Sequence, residues 1–228
     1  GGQLAVHHLA CSLFSKGHQV HVLYSKYPHE QFNIEVPYEI HWVRHYDFAT
    51  FNLNIFSFSN VLGPLAGKEK FDVIHGNAEE AYWTGKIAKR NKSTYVFTSH
   101  TPDIPITGML KGMMRPIRLL KSLNTYLLRQ AISEADQVVA FSHFSRDLIM
   151  KGLSNTCANK IKVISPGVES SWFEVERKPS SGSALLFWGR IEEEKGLREL
   201  FHALQTVSKT IKDVSLTIVG EGNRLREY

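Results

Sequence analysis

The chain has 228 residues, 43% of them hydrophobic, 21% charged and 11% aromatic, which excludes disordered, collagen-like and coiled-coil proteins. Its two cysteines, Cys11 and Cys157, lack C-x-x-C spacing and are too few for a disulfide scaffold, and no apolar run reaches the roughly 18 residues needed to span a bilayer. The net charge of +5 lies wholly in residues 1–178, because residues 179–228 hold seven basic and seven acidic side chains.

The chain opens on Gly1-Gly2. Val6, Leu9, Ala10, Leu13 and Phe14 then repeat with helical period, and Gly17 follows as a C-cap. Residues 18–24 and 38–43 read as strands. Residues 71–75 form a short buried strand and 79–91 a helix. A strand at 94–98 stops at Ser99-His100-Thr101-Pro102. Residues 109–135 read as a long helical region, with Pro116 as a break. Strands at 137–141 and 161–164 flank a helix that starts near His143, and the second strand ends at Ser165-Pro166-Gly167.

Residues 178–183 have the composition of a linker. The pattern then restarts: strand 184–188, a helix with apolar residues at Leu197, Leu200, Phe201 and Leu204, and strand 214–219. Strands alternating with helices predict an α/β fold with mostly parallel sheets covered on both faces. We expect two Rossmann-like domains, residues 1–178 and 179–228. A glycine-rich turn normally follows a strand, so Gly1-Gly2 points to a strand before residue 1. The second domain is expected to be only partly present.

Ligands in such sheets bind beyond the carboxyl ends of the strands. That rule selects Gly1-Gly2, His75, His100, Ser142, Ser165-Pro166-Gly167, Gly189-Arg190 and Gly220-Glu221-Gly222. Two glycines before a helix suit a phosphate, because the helix N-terminus offers free N–H groups. His100, between a strand and a Thr-Pro-Asp loop, could orient a sugar hydroxyl or stabilise developing charge. Arg190 follows a strand directly, and Lys195 sits where the next helix starts. A planar fork and a point charge together suit a diphosphate. The alternative is that Glu192, Glu193 and Glu194 pair with these cations. No H-E-x-x-H, G-x-S-x-G or Walker A pattern occurs, so the sequence carries no metal or nucleophile motif.

Taken together, "SKGHQVHVLY", "FDVIHGN", "TYVFTSHTP", "ADQVVAFSHFSRDLI", "IKVISPGVE", "LLFWGRIEEEKGLRELFHAL" and "LTIVGEGNRLRE" resemble the family-four retaining glycosyltransferases of GT-B fold. The resemblance spans the chain in family order, with Ser165-Pro166-Gly167 in place of the usual Pro-Asn-Gly. It implies hexosyl-type transfer from a UDP- or GDP-linked sugar to a hydroxyl of a glycan, lipid or small-molecule acceptor, with retention of configuration. It further implies that Arg190 and Lys195 hold the donor diphosphate, with Gly1 and Gly2 bringing backbone N–H groups to it. His100 would contact the transferred sugar, and Gly220, Glu221 and Gly222 would lie near the nucleoside. No metal or separate cofactor is implied, because cations and helix dipoles take that role. A further glutamate pair would follow Tyr228, so residues 1–228 alone are expected to turn over weakly or not at all.

Residues 86–129 hold nine basic side chains and one acid, Asp103. Within residues 109–129, Lys111, Arg115, Arg118, Lys121 and Arg129 alternate with Met109, Leu110, Met113, Met114, Leu119 and Leu120. This pattern suits peripheral contact with an anionic inner membrane face by a cytoplasmic protein, or an ordinary helix packed on the sheet. A nucleotide-sugar epimerase shares the fold. A nucleic-acid-binding module would need aromatics among the cations, where only Tyr126 occurs, so no nucleic-acid partner is expected.

Overall fold

The computed structural model describes residues 2–27, 35–46, 54–77, 79–100, 115–153, 155–176, 182–222 and 224. The chain divides into two compact units, Gly1–Gly167 and Val168–Tyr228.

The first unit begins with α1 (Gly2–Ser15). Gly17, at φ +86°, ends it. Its N–H donates to Phe14 O and that of His18 to Leu13 O, so two terminal carbonyls are satisfied by a Schellman turn that needs a left-handed residue. Strands β1 (His21–Lys26) and β2 (Glu39–Arg44) pair in parallel. Helix α2 (Asn54–Lys68) leads to β3 (Val73–Asn77), a 3-10 turn over Glu79–Trp83, and α3 (Thr84–Asn91). Then come β4 (Thr94–Ser99), α4 (Arg115–Ser133), β5 (Gln137–Ala140), α5 (His143–Leu153) and β6 (Ile161–Val163). The second sheet has the order β3-β4-β5-β6, all parallel. This is the architecture that the strand–helix alternation predicts.

The core lies between this sheet and its helices. Tyr95, Phe97, Ile132, Val138 and Ile149 are each at most 2% exposed. Each such side chain contributes about 1.5–3 kcal/mol by burial. Asp136 ties the two central strands: its Oδ2 accepts from Tyr95 N at 2.8 Å, and its own N–H donates to Tyr95 O at 2.9 Å.

Three elements differ from expectation. Helix α2 carries Gly63, Pro64 and Gly67 and so has poor helix propensity. Tertiary packing makes it: Ile55 is 1% exposed, and the buried Asn54 accepts a hydrogen bond from Tyr46 N at 2.9 Å. Pro116 does not break α4. It is the helix's second residue, where a missing N–H costs nothing. The helix expected over residues 79–91 opens as a 3-10 turn, because Ala81 packs under Gly76.

In the second unit Trp172, on a 3-10 turn over Ser170–Phe173, stacks on Trp188 with ring centroids 5.6 Å apart. Strands β7 (Ala184–Trp188) and β8 (Ser215–Val219) pair in parallel, and α6 (Leu197–Val207) connects them. Ile191 and Leu197, the first residue of α6, are buried.

Candidate functional site

In the first unit the carboxyl ends of β3 and β4 meet the start of α1. His100 follows the last residue of β4. Its Nε2 lies 2.8 Å from Asn77 Oδ1, and Asn77 is the last residue of β3. A carbonyl oxygen only accepts, so Nε2 carries the hydrogen and donates. Nδ1 of the neutral ring is then an acceptor. It faces Gly2, where a Cβ would lie 3.4 Å away. Phe141, just after β5, meets the His100 ring edge-on with centroids 5.0 Å apart. Burial lowers the His100 pKa from its ordinary value, so the imidazole is held neutral.

His75 lies inside β3 rather than beyond it. Its Nε2 is 2.7 Å from Oγ1 of the buried Thr98. Part of His75 reaches solvent, yet the protein packed around its ring disfavours charge, and the nearby His100 adds to this. Its pKa is therefore lowered too. Two neutral imidazoles side by side give a hydrogen-bonding surface without net charge.

The strand ends place other selected residues in structural roles. The Ser142 hydroxyl caps α5, accepting from Ser145 N at 3.0 Å. The Ser165 hydroxyl donates to Phe141 O at 3.3 Å. Gly1 lies outside the described residues, as do Met109, Lys111 and the rest of 101–114. Asn77 is the residue that strand-end reasoning passed over. Its signal was present as the last letter of "FDVIHGN", but an asparagine near a strand end reads equally as a turn residue.

In the second unit Arg190 is exposed in the turn after β7. Lys195 is exposed at the end of a 3-10 turn over Glu193–Lys195, and Gly196, at φ +70°, precedes α6. Glu193 Oε2 accepts from Arg224 Nη2 at 2.9 Å. That acid is therefore engaged by Arg224, and Lys195 makes no ion pair among the described residues. The Gly220–Gly222 strand end runs against the Gly189–Ile191 turn. Gly189 N donates to Val219 O at 3.1 Å and Ile191 N to Glu221 O at 2.8 Å. A Cβ on Gly220 would collide with Gly189 O, and one on Gly222 with Ile191 O. The two glycines thus let the segment beyond β8 lie directly on the turn that carries Arg190.

Parallel βα units, with polar residues at the strand ends of the first unit and cations after β7 in the second, define this as an α/β protein of Rossmann-like architecture. The sequence profile of Glycosyltransferase Family 4 matches residues 1–172, and the chain belongs to that family. It is 32% identical over 120 residues to the glycogen synthase of Mycobacterium tuberculosis, a match covering 52% of this chain and 27% of that protein. Among solved structures, it is similar to the catalytic domain of starch synthase IV from Arabidopsis thaliana bound to ADP and acarbose. The TM-score is 0.64 at 14% identity, over 96% of this chain and 64% of that one. It is also similar to HepE of Anabaena in complex with UDP, with a TM-score of 0.55 at 15% identity over 84% and 50% of the two chains. No helix among the described residues is long and apolar enough to cross a membrane.

Proposed function

We propose that the whole protein transfers a hexosyl group from a nucleotide-sugar donor to an acceptor hydroxyl, with retention of configuration. The observation that carries this reading is the neutral His100, fixed by Asn77 with its Nδ1 turned to Gly2 at the start of α1. The arrangement supplies a lone pair for a sugar hydroxyl beside the backbone N–H groups of a helix N-terminus, which favour an anion. The names of the solved neighbours, one bound to UDP and one to ADP, support a nucleoside diphosphate as the donor's leaving portion.

In this reading Arg190 and Lys195 bind the diphosphate and offset the negative charge that grows as the glycosidic bond breaks. Gly1 and Gly2 contribute backbone N–H groups. Gly220, Glu221 and Gly222 lie on the nucleoside side. His100 positions the transferred sugar. Because its ring is neutral, it accepts from a hydroxyl without a competing positive charge. The cations take the role a metal would otherwise have, so no metal is assigned to the reaction.

The test is made on the whole enzyme. Arg190→Ala and Lys195→Ala are expected to lower kcat/KM by about 100-fold each, the scale of losing one preorganised charge-stabilising group. Their melting temperatures should stay unchanged, because both side chains are exposed. Wild-type kcat/KM in both variants would overturn the diphosphate assignment. The anomeric configuration of fresh product, read by proton NMR, tests retention.

For the acceptor side we propose peripheral membrane contact through α4. Leu119, Leu123 and Tyr126 are 71%, 41% and 53% exposed and lie on one face of the helix. The stripe ends there, since Leu127 and Leu128 are buried and Arg129 turns its Nε inward. Co-sedimentation with anionic but not neutral liposomes is expected. Equal behaviour with both would remove the proposal.

A further inference from the structure

Strand pairing assembles a second cluster of side chains at the opposite end of the first unit. His21 and Glu39 are the first residues of β1 and β2, and the parallel register sets them side by side. His41 is two residues beyond Glu39, on the same face of β2. The His21 and His41 rings stack within 8° of parallel. His21 Nδ1 lies 3.0 Å from His41 Nε2. Glu39 Oε2 lies 3.5 Å from His21 Nδ1, and its Oε1 lies 3.4 Å from His41 Nε2.

The two carboxylate–imidazole separations, one to each oxygen of Glu39, match the edge of a metal-centred tetrahedron, and the imidazole nitrogens lie closer together than that edge. Zinc–nitrogen and zinc–carboxylate bonds of about 2.0–2.2 Å place neighbouring donors about 3.3–3.5 Å apart. A hydrogen bond accounts for the approach of the two rings, and the Glu39 carboxylate brings a third donor within reach of both. The surroundings also fit. The His21 side chain is 5% exposed and walled edge-on by Phe71, whereas Glu39 is 59% exposed and leaves one side open to water as a fourth ligand. On the far side of the His21 ring, Nε2 lies 3.5 Å from Glu69 Oε2. A carboxylate behind a ligating histidine fixes the tautomer that presents the other nitrogen to the ion.

We propose that His21, Glu39 and His41 form a site for a divalent transition metal of the zinc class, with Glu69 orienting His21. Two imidazoles and a carboxylate suit zinc, cobalt, nickel or copper rather than magnesium or calcium. As a hydrogen-bonded pair, one ring nitrogen donates to the other. With an ion bound, both lone pairs go to the metal and each hydrogen resides on the far ring nitrogen, which for His21 faces Glu69. The site lies at the amino ends of the strands. Six residues of strand, about 17 Å, separate it from the carboxyl ends. The ion therefore clasps β1 to β2 and takes no part in sugar transfer, so the proposal stands or falls independently of the proposed function.

The experiment is metal uptake by the 228-residue chain, with zinc ion as probe and magnesium as control. One zinc per chain is expected, with a raised melting temperature and no response to magnesium. Cobalt should give the intense visible absorption of a four-coordinate ion. His41→Gln should abolish uptake. Glu39→Gln and Glu69→Gln, which change exposed carboxylates, should each weaken zinc binding about 10-fold or more while leaving the circular dichroism unchanged. These two variants keep the test intact if His41→Gln fails to fold. No stoichiometric uptake by the wild-type chain, or uptake equally tight in Glu39→Gln and Glu69→Gln, would overturn the proposal.

Discussion

The Nδ1 atom of His100 lies 3.4 Å from where a Cβ would stand on Gly2, so the start of α1 and the end of β4 touch through an imidazole and a bare backbone. That separation is an ordinary van der Waals contact, and the ring is held from behind by Asn77. Gly2→Ala should therefore fold normally, with a melting temperature within about 2 °C of wild type. The added methyl would still cover the backbone that an anion must approach. In the whole enzyme we expect nucleoside diphosphate affinity to fall about 10-fold, or about 1.4 kcal/mol. Calorimetric titration checks this, and unchanged affinity would remove Gly2 from the donor site.

The two lowered histidine pKa values predict a pH dependence of stability. An unfolded histidine titrates near 6.5. His75 and His100 titrate lower when folded, chiefly because burial disfavours their charged forms. Between the lowered values and about 6.5 the unfolded chain binds more protons, so stability rises with pH there. Their contribution is complete above about pH 6.5 and is lost as pH falls through the folded values. Urea midpoints should drop on going from about pH 8 to about pH 5. The double variant His75→Asn, His100→Asn should flatten that drop; an unchanged drop would show that other groups control it.

Gly76 makes a sharper stability prediction. A Cβ there would lie 2.5 Å from the Cβ of Ala81 and 3.1 Å from the Tyr95 ring. Neither neighbour can retreat, because Ala81 is 3% exposed and Tyr95 is 2% exposed. Gly76→Ala should cost about 1–3 kcal/mol. Gly67, in α2, has nothing within 4 Å of its Cβ position. Gly67→Ala should stabilise by about 0.4–1 kcal/mol through helix propensity and reduced unfolded-state entropy. Chemical denaturation of both variants gives the opposite signs directly.

Gly220 and Gly222 predict a local lesion. Side chains there meet backbone carbonyls of Gly189 and Ile191, which no rotamer change can relieve. Gly220→Ala should break the Gly189 N–Val219 O and Ile191 N–Glu221 O bonds and speed amide exchange across β7 and β8. Exchange in β3 to β6 should be unaffected. Equal acceleration in both units would contradict this account.

Much of the fold was legible because its signals are local. The C-cap at Gly17 is a one-residue demand for left-handed backbone. The buried strands read as short apolar runs; Tyr95 and Phe97 in "TYVFTS" are an example. Helix α2 was not legible, since Gly63, Pro64 and Gly67 argue against a helix until Ile55 and Asn54 find their burial. The strand expected to end at His75 runs two residues further, because Gly76 and Asn77 pair with Phe97 and Thr98.

The amino-acid order alone determined the alternation of strand and helix, the glycines at the turns, and the cations Arg190 and Lys195 after β7. These follow from periodicity, backbone freedom and charge, which act over a few residues. Which side chains meet was decided only in the folded chain. Asn77 reaches His100 across 23 positions because β3 and β4 are adjacent and parallel. His21 reaches His41 across 20 because register aligns β1 with β2. Parallel strands are joined by long crossovers, so their neighbours are remote in sequence and no local pattern announces them.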